Sequence, residues 1–180
     1  MMKAAGDHDV LLVVNRLAQG FAHVILTQDW HPAGHSSFAS AHPGRQPFET
    51  VETEYGSQIL WPDHCVQGTQ GAAFHPALDV PRAELVVRKG FRPLIDSYSA
   101  FQENDRKTPT GLAGYLREPG FEHVTLCGIA TDVCVFYSAL DARTAGFAAT
   151  LVIDACAGLD HDGSLARALD QMRAAGVALV

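Results

Sequence analysis

Apolar positions along the chain fall into short continuous runs, and segments with helical spacing lie between them. The β-branched and apolar runs at 23–27, 84–88, 123–127 and 149–153 predict buried strands, with a last short strand at 177–180. The spacing predicts helices over 10–20, 108–116, 131–145 and 163–175. Alternating strands and helices indicate β-α-β units. The pattern therefore predicts an α/β fold of three layers, α-β-α, around a mostly parallel, Rossmann-like sheet.

One long segment, 28–81, shows no regular periodicity and is rich in Pro, Gly, His and Ser. Irregular segments of this length inside a compact domain are uncommon and usually functional. In parallel sheets, ligands bind beyond the carboxyl ends of the strands. The residues that follow each predicted strand are therefore the first place to look for chemistry.

Composition narrows the class of protein. The chain has 180 residues, 47% of them hydrophobic, which fits one domain over residues 1–180. A net charge of −7 argues weakly against nucleic acid as a partner, and no apolar run is long enough for a membrane helix. Polar residues follow Lys3, so we expect no signal peptide. With only four cysteines, we expect a cytoplasmic protein.

A group of potential metal ligands follows the first predicted strand. Asp29, His31 and His35 lie close together in sequence, and His64 is a fourth candidate further along the same irregular segment. One carboxylate and three imidazoles suit a divalent cation such as Zn²⁺, Fe²⁺ or Mn²⁺. Taken singly, each histidine could instead be an ordinary surface residue. The D-x-H-x3-H spacing after a strand favours a metal site. Cys65 adjoins His64, and we expect it to be structural.

Two further residues follow the second and third strands. Lys89 ends the second strand, where its charge can hold a thiolate or carboxylate in the charged form. The alternative is a lysine whose stem packs on the sheet while its charge reaches solvent. Cys134 falls in the predicted first turn of the next helix, where the helix dipole would acidify a thiol and backbone N–H groups could bind an oxyanion. A buried inert cysteine is its alternative.

Five segments together carry a family resemblance. They are Asp29-x-His31-x3-His35, Trp61-Pro62-x-His64-Cys65-Val66, Arg88-Lys89-Gly90, Asp96-Ser97-Tyr98-Ser99-Ala100-Phe101 and Gly128-Ile129-Ala130-Thr131-Asp132-x-Cys134-Val135. The chain resembles the nicotinamidase/pyrazinamidase branch of the isochorismatase-like cysteine hydrolases. The resemblance covers nearly the whole chain in order, and the metal motif is specific to that branch.

The resemblance implies a role for each matched residue. It implies a divalent metal, Zn²⁺ first and Fe²⁺ or Mn²⁺ as alternatives, held by Asp29, His31, His35 and His64. Cys134 would be the nucleophile and Lys89 the cationic member of a catalytic triad. A cis peptide between Ile129 and Ala130 would accompany an oxyanion hole formed by the N–H groups of Ala130 and Cys134. The substrate would contact Trp61, Tyr98 and Ile129, with the indole of Trp61 stacked on its ring.

The implied reaction is the hydrolysis of nicotinamide, and of pyrazinamide, through a cysteine thioester, with a role in NAD salvage. The implied partner is this small molecule, and the chain would act as a monomer or homo-oligomer. Two alternatives stay open: an amidohydrolase of another carboxamide, such as a carbamoyl compound, and a non-catalytic metal-binding paralogue.

The sequence departs from the family pattern at the N-terminus. The resemblance implies a catalytic aspartate in a D-x-Q-x-D-F motif at the end of an N-terminal strand, and the sequence contains no such motif. That strand would lie in the middle of the sheet. We therefore expect a sheet without its N-terminal central strand, and a Met1 that is an internal start of a longer domain.

Overall fold

A computed structural model describes residues 7–180 of the chain; residues 1–6, where no signal peptide is expected, lie outside the described part. The helices are α1 (Asp7–Gln19), α2 (Leu112–Arg117), α3 (Phe136–Thr144) and α4 (Ser164–Ala174). The strands are β1 (Ile25–Asp29), β2 (Thr50–Thr53), β3 (Gly56–Ile59), β4 (Leu85–Lys89), β5 (His123–Ile129), β6 (Ala148–Ala157) and β7 (Ala178–Leu179). Within residues 7–180, every helix is too short or too polar to cross a membrane.

The parallel strands form two sheets that each contribute to the site. Strand β1 pairs with β4 in parallel, and β5, β6 and β7 form a second parallel sheet. Helices pack on these strands, which confirms the predicted three-layer α/β fold. Among residues 7–180, β4 and β5 are not paired with each other. The interpretation that a central N-terminal strand is missing between them stays a prediction.

The core lies between the second sheet and its helices. Leu151 of β6 and Met172 of α4 are fully buried. Ala139 and Ala142, both fully buried on α3, are small enough for this helix to approach its neighbours closely. Fully burying a side chain such as Leu151 contributes about 1.5–3 kcal/mol. The second sheet therefore provides a rigid base for the turn that follows β5.

Two predicted elements differ in the structure. The segment 28–81 contains the antiparallel hairpin of β2 and β3, where the sequence indicated only irregular structure. The helix expected from Thr108 begins at Leu112 instead. The carboxylate of Asp105 explains this shift, because it accepts hydrogen bonds from the N–H groups of Lys107 and Thr108, both at 2.9 Å, and from the Thr108 hydroxyl at 2.6 Å. These bonds hold the segment as a turn.

Candidate active site

The ends of β1 and β4 bring Asp29 and Lys89 together. The two residues are paired in the β1–β4 register, so both side chains emerge at the same edge. Lys89 is only 4% exposed and forms an ion pair with Asp29. Its Nζ also donates hydrogen bonds to Sγ of Cys134 and to the carbonyl of Ser97, each at 3.2 Å. The predicted lysine–cysteine pair is therefore formed in the structure, and Lys89 does not reach solvent.

Cys134 does not lie in the first turn of an α-helix, as the sequence indicated. It belongs to a π-helical turn, Thr131–Val135, which comes between β5 and α3. The carbonyl of Ala130 accepts the N–H of Val135 at 3.1 Å, the five-residue spacing that defines such a turn. Turns of this kind are frequent at functional sites. The peptide between Ile129 and Ala130 is cis, as the resemblance implied.

Burial and charge act in opposite directions on this group of side chains. Burial raises the pKa of the Cys134 thiol to about 11, although Lys89 lowers it. Burial also favours the neutral form of Lys89, but Asp29 and Cys134 outweigh it and raise the pKa of the ammonium group. For Asp29, burial alone would raise the pKa, and Lys89 holds it below its ordinary value. The expected acidified thiol is wrong for this arrangement, because the depth of burial outweighs the nearby positive charge.

Three of the four predicted metal ligands converge. Ligand atoms of Asp29, His31 and His64 all lie within 4.8 Å of one another. The Nδ1–H of His31 donates to the carbonyl of Gly90 at 2.8 Å, and that of His64 donates to the carbonyl of Pro62 at 2.9 Å. A carbonyl only accepts, so each ring keeps the Nε2 lone pair for a cation. Burial lowers the pKa of His31 to about 4, which keeps this ring neutral as a ligand must be. These residues fit a divalent metal ion.

The position of Gly90 supports the same site. Its φ is +64°, and a Cβ atom there would lie 2.6 Å from Nδ1 of His31 and closer still to Cε1. The backbone must approach the imidazole closely for its carbonyl to accept the Nδ1 proton. Glycine is therefore required at this position for two reasons, its conformation and its lack of a side chain.

His35 lies beside this group with a different set of bonds. Its ring centroid is 4.7 Å from that of His31, and the residue is fully buried. Nδ1 accepts the N–H of Ser37 at 3.1 Å, and Nε2 lies 3.3 Å from the carbonyl oxygen of Ile95. His35 also forms a second potential ligand group with His31 and Asp96. Its predicted role as a ligand in the Asp29 group stays a prediction.

Two of the predicted substrate-contacting residues, Trp61 and Tyr98, belong to a buried polar network. The Trp61 Nε1–H donates to the hydroxyl of Tyr98 at 3.0 Å, and the amide of Gln58 donates to the same oxygen at 2.8 Å. Gln58 also donates to the carboxylate of Asp96 at 3.2 Å. Burial raises the pKa of Tyr98, so its hydroxyl stays protonated. Ile129 is 61% exposed at the end of β5.

Sequence reasoning missed several residues that organise the site. Gln58 and Asp96 are 1% and 2% exposed, and the carboxylate of Asp96 also accepts the N–H of Ser97 at 2.8 Å. The carboxylate of Asp132 accepts the N–H groups of Leu159 and Asp160 in the loop after β6, both at 2.9 Å. Gln58 carries no signal, since its hairpin has no recognisable pattern. Asp96 and Asp132 lie inside motifs that resemble the family, so their positions were visible but their roles were not.

A lysine-paired cysteine beyond the ends of parallel strands, with a carboxylate and two imidazoles that could hold a cation beside it, is an arrangement that suits an α/β hydrolase. The family model described as "Isochorismatase domain" matches residues 2–180. The chain therefore belongs to the isochorismatase family.

Three known proteins show how close the similarity is. The nicotinamidase of Acinetobacter baylyi is 53% identical over 176 residues, which cover 98% of this chain and 82% of the relative. A solved nicotinamidase/pyrazinamidase of Acinetobacter baumannii is 53% identical with a TM-score of 0.97, and the match covers 99% of this chain and 86% of the other. The pyrazinamidase of Pyrococcus horikoshii, solved in complex with zinc, is 32% identical with a TM-score of 0.78, over 98% of this chain and 87% of the other.

Proposed function

We propose that this chain hydrolyses nicotinamide to nicotinate and ammonia, and pyrazinamide in the same way. The observation that carries the proposal is the contact of 3.2 Å between Nζ of Lys89 and Sγ of Cys134, beside the Asp29–His31–His64 group. A nucleophile, a cation to stabilise it and a potential metal group thus occupy one edge of the fold. The relatives named nicotinamidase support the choice of substrate.

Cys134 is the nucleophile in this proposal. Its sulfur attacks the carboxamide carbon, and the C–N bond then breaks to leave a thioester and ammonia. Lys89 stabilises the thiolate through its hydrogen bond, and the N–H groups of Ala130 and Cys134 stabilise the oxyanion. Water then cleaves the thioester to give nicotinate and the free thiol.

The thiol proton must reach the leaving nitrogen. Lys89 is the hydrogen-bond partner of the Cys134 sulfur among residues 7–180, and its charged ammonium group cannot accept a proton. The family resemblance assigns this transfer to an aspartate on an N-terminal strand, and that assignment stays a prediction. A positioned acid–base group contributes about 10²–10⁴-fold to rate.

We propose that Asp29, His31 and His64 hold a divalent cation, Zn²⁺ first and Fe²⁺ or Mn²⁺ as alternatives, with His35 as a predicted fourth ligand. The carboxylate and imidazole donors suit these ions. When bound, such an ion supplies a Lewis acid for the ring nitrogen of the substrate and for water. Trp61 would stack on the ring of the substrate, with Tyr98 and Ile129 beside it.

The proposal also includes a biological setting. We place the activity in the cytoplasm and in NAD salvage, with the small-molecule amide as the partner, no nucleic acid or membrane partner, and a monomer or homo-oligomer as the active form. The domain is proposed to span residues 1–180.

The test is the release of ammonia and nicotinate from nicotinamide by the purified, metal-analysed chain, with pyrazinamide and a carbamoyl compound as parallel substrates. Equal amounts of both products from nicotinamide are expected. Turnover of the carbamoyl compound alone would support the other amidohydrolase. Bound metal without turnover of any amide would support the non-catalytic paralogue.

A further inference from the structure

Two aromatic side chains outside the predicted site stack against each other beside Trp61. The rings of Phe48 and His161 are nearly parallel, with centroids 5.1 Å apart and 27° between their planes. Phe48 also meets Trp61 in an edge contact, with centroids 5.9 Å apart. We call Phe48 and His161 the ring wall. The two residues are 113 positions apart in number, so the stack joins two separate segments of the chain.

The backbone fixes the Phe48 half of the ring wall. Phe48 has a φ of +72°, which is uncommon for a residue with a side chain. Its N–H donates to the carbonyl of Leu60 at 2.6 Å, and the N–H of Leu60 donates to the carbonyl of Glu49 at 2.8 Å. Leu60 is fully buried and directly precedes Trp61. Phe48 is therefore held in register with the residue that is expected to stack on the substrate.

The carboxylate of Asp132 fixes the His161 half. It accepts the N–H groups of Leu159 and Asp160, both at 2.9 Å, and the hydroxyl of Ser164. The bonded residues lie directly before His161 and three positions after it in the sequence, so the loop that carries His161 is held at both ends. Asp132 lies in the same π-helical turn as Cys134, two residues before it. The position of His161 is thus tied to the position of the nucleophile.

These contacts close a circuit around the site. From Cys134 it runs through Asp132 to the loop of His161, through the ring wall to Trp61, and on to Tyr98. Ser97, next to Tyr98, accepts a hydrogen bond from Lys89, which donates to Cys134. The ring wall therefore borders Trp61, the residue that is expected to stack on the substrate.

We infer that the ring wall is a specificity-determining element that admits carboxamides of a single six-membered heteroaromatic ring and excludes those of fused bicyclic rings. The inference rests on the proposed function, since it assumes that Trp61 stacks on the ring of the substrate. A fused second ring would need the space that Phe48 and His161 occupy. Removing either ring opens that space, whereas replacing it with another aromatic ring of similar size keeps the space filled.

The experiment compares His161→Ala with His161→Phe, and Phe48→Ala with Phe48→Tyr. His123→Ala, at an exposed histidine bonded to Thr150, is the matched control. Calorimetry gives the Kd values of nicotinate and quinoline-3-carboxylate, and assays give kcat/KM for the corresponding two amides. The thermal midpoint of each variant shows whether it is folded.

We expect both alanine variants to lose preference for the single ring by about tenfold or more, through tighter binding of the bicyclic acid. The two aromatic replacements and the His123 control should keep the wild-type ratio. An unchanged ratio in whichever alanine variants fold, or failure of the wild type to bind nicotinate, would overturn the inference. If the wild type binds nicotinate but releases no ammonia from nicotinamide, the proposed function is wrong while the Kd ratios still decide the role of the ring wall.

Discussion

At the scale of single residues, the buried ammonium group of Lys89 organises the chemistry. An isolated buried charge is costly, and Lys89 is compensated by Asp29 on one side and by the sulfur of Cys134 on the other. The same charge stabilises the thiolate once it forms. Lys89 is therefore a structural link between the two sheets and, in the proposed reaction, the partner of the thiolate.

Replacing Lys89 with methionine keeps most of the stem and removes the charge. Without the ammonium group, burial and the negative charge of Asp29 both disfavour the thiolate, and kcat should fall by about 10²–10⁴-fold. The measurement is the rate of ammonia release at saturating nicotinamide. Lys107→Met, at a lysine outside the site, is the control and should leave the rate unchanged. A Lys89→Met variant with full activity would remove Lys89 from the mechanism.

Gly90 gives a second prediction at this scale. A methyl group in Gly90→Ala would collide with the ring of His31, so the variant should lose bound metal and become less stable by about 1–3 kcal/mol. Gly120→Ala is a matched control, because Gly120 also has a positive φ, +81°, but nothing within 4 Å of the added Cβ. Metal analysis and denaturant unfolding measure both effects. Equal losses in the two variants would show that backbone conformation alone is responsible.

The identities of the principal site residues were predictable, but their environments were not. Lys89 and Cys134 follow predicted strands, which is where ligands bind in parallel sheets. The sequence led us to expect a lowered pKa for Cys134, and the structure raises it through burial. Burial depends on tertiary packing, which the local sequence does not report. His35 shows a similar limit, since the sequence does not reveal that Ser37 and Ile95 engage its nitrogens.

At the scale of elements, the loop after β6 and the π-helical turn act as one unit. Asp132 is 8% exposed, and its carboxylate links the turn to the loop through three hydrogen bonds. Burial would raise its pKa, but the bonds from Ser164, Leu159 and Asp160 hold the pKa below its ordinary value. Charged hydrogen bonds of this kind contribute about 1.5–3 kcal/mol each.

Asp132→Asn should therefore lower the free energy of unfolding at neutral pH by about 2 kcal/mol or more. Because the folded-state pKa is lowered, the contribution of the carboxylate is present above the unfolded-state pKa and is lost as the pH falls through the folded value. The difference between wild type and variant should thus shrink in acid. Denaturant unfolding at several pH values measures it, with the exposed Asp170→Asn as control. A difference that grows in acid would contradict this account.

Elements with a clear apolar period were predictable, and the hairpin was not. Strands β1, β4 and β5 are apolar runs that tertiary structure only lengthens or shifts by a few residues. The hairpin sequences TVET and GSQI carry no continuous apolar run, because one face is solvent-exposed and the other buries the polar Gln58. The late start of α2 depends on side-chain bonds of Asp105, which periodicity does not report.

At the scale of the whole molecule, the site lies at the junction of two sheets. Lys89 ends a strand of the first sheet, and Cys134 follows a strand of the second. The contact between them therefore depends on how the two sheets are held together. The potential metal ligands Asp29, His31 and His64 connect the end of β1 to the segment around Trp61 on one side of that junction.

A bound divalent cation should stabilise the whole fold, because its ligands come from distant parts of the chain. At a free concentration of about 100 times Kd, binding contributes about 2.7 kcal/mol. The thermal midpoint should rise when Zn²⁺ is added to chelator-treated protein, and His64→Ala should abolish most of this rise. His75→Ala is a control outside the ligand group. A rise that persists in His64→Ala would place the metal elsewhere.

The central claim is that Cys134 is the nucleophile of a nicotinamide amidohydrolase. The most direct measurement is the rate of ammonia release from nicotinamide by wild type and Cys134→Ala, prepared with equal metal content. We predict turnover by the wild type and a loss of turnover in the variant, with metal content and folding unchanged. Turnover that persists in Cys134→Ala would contradict the account.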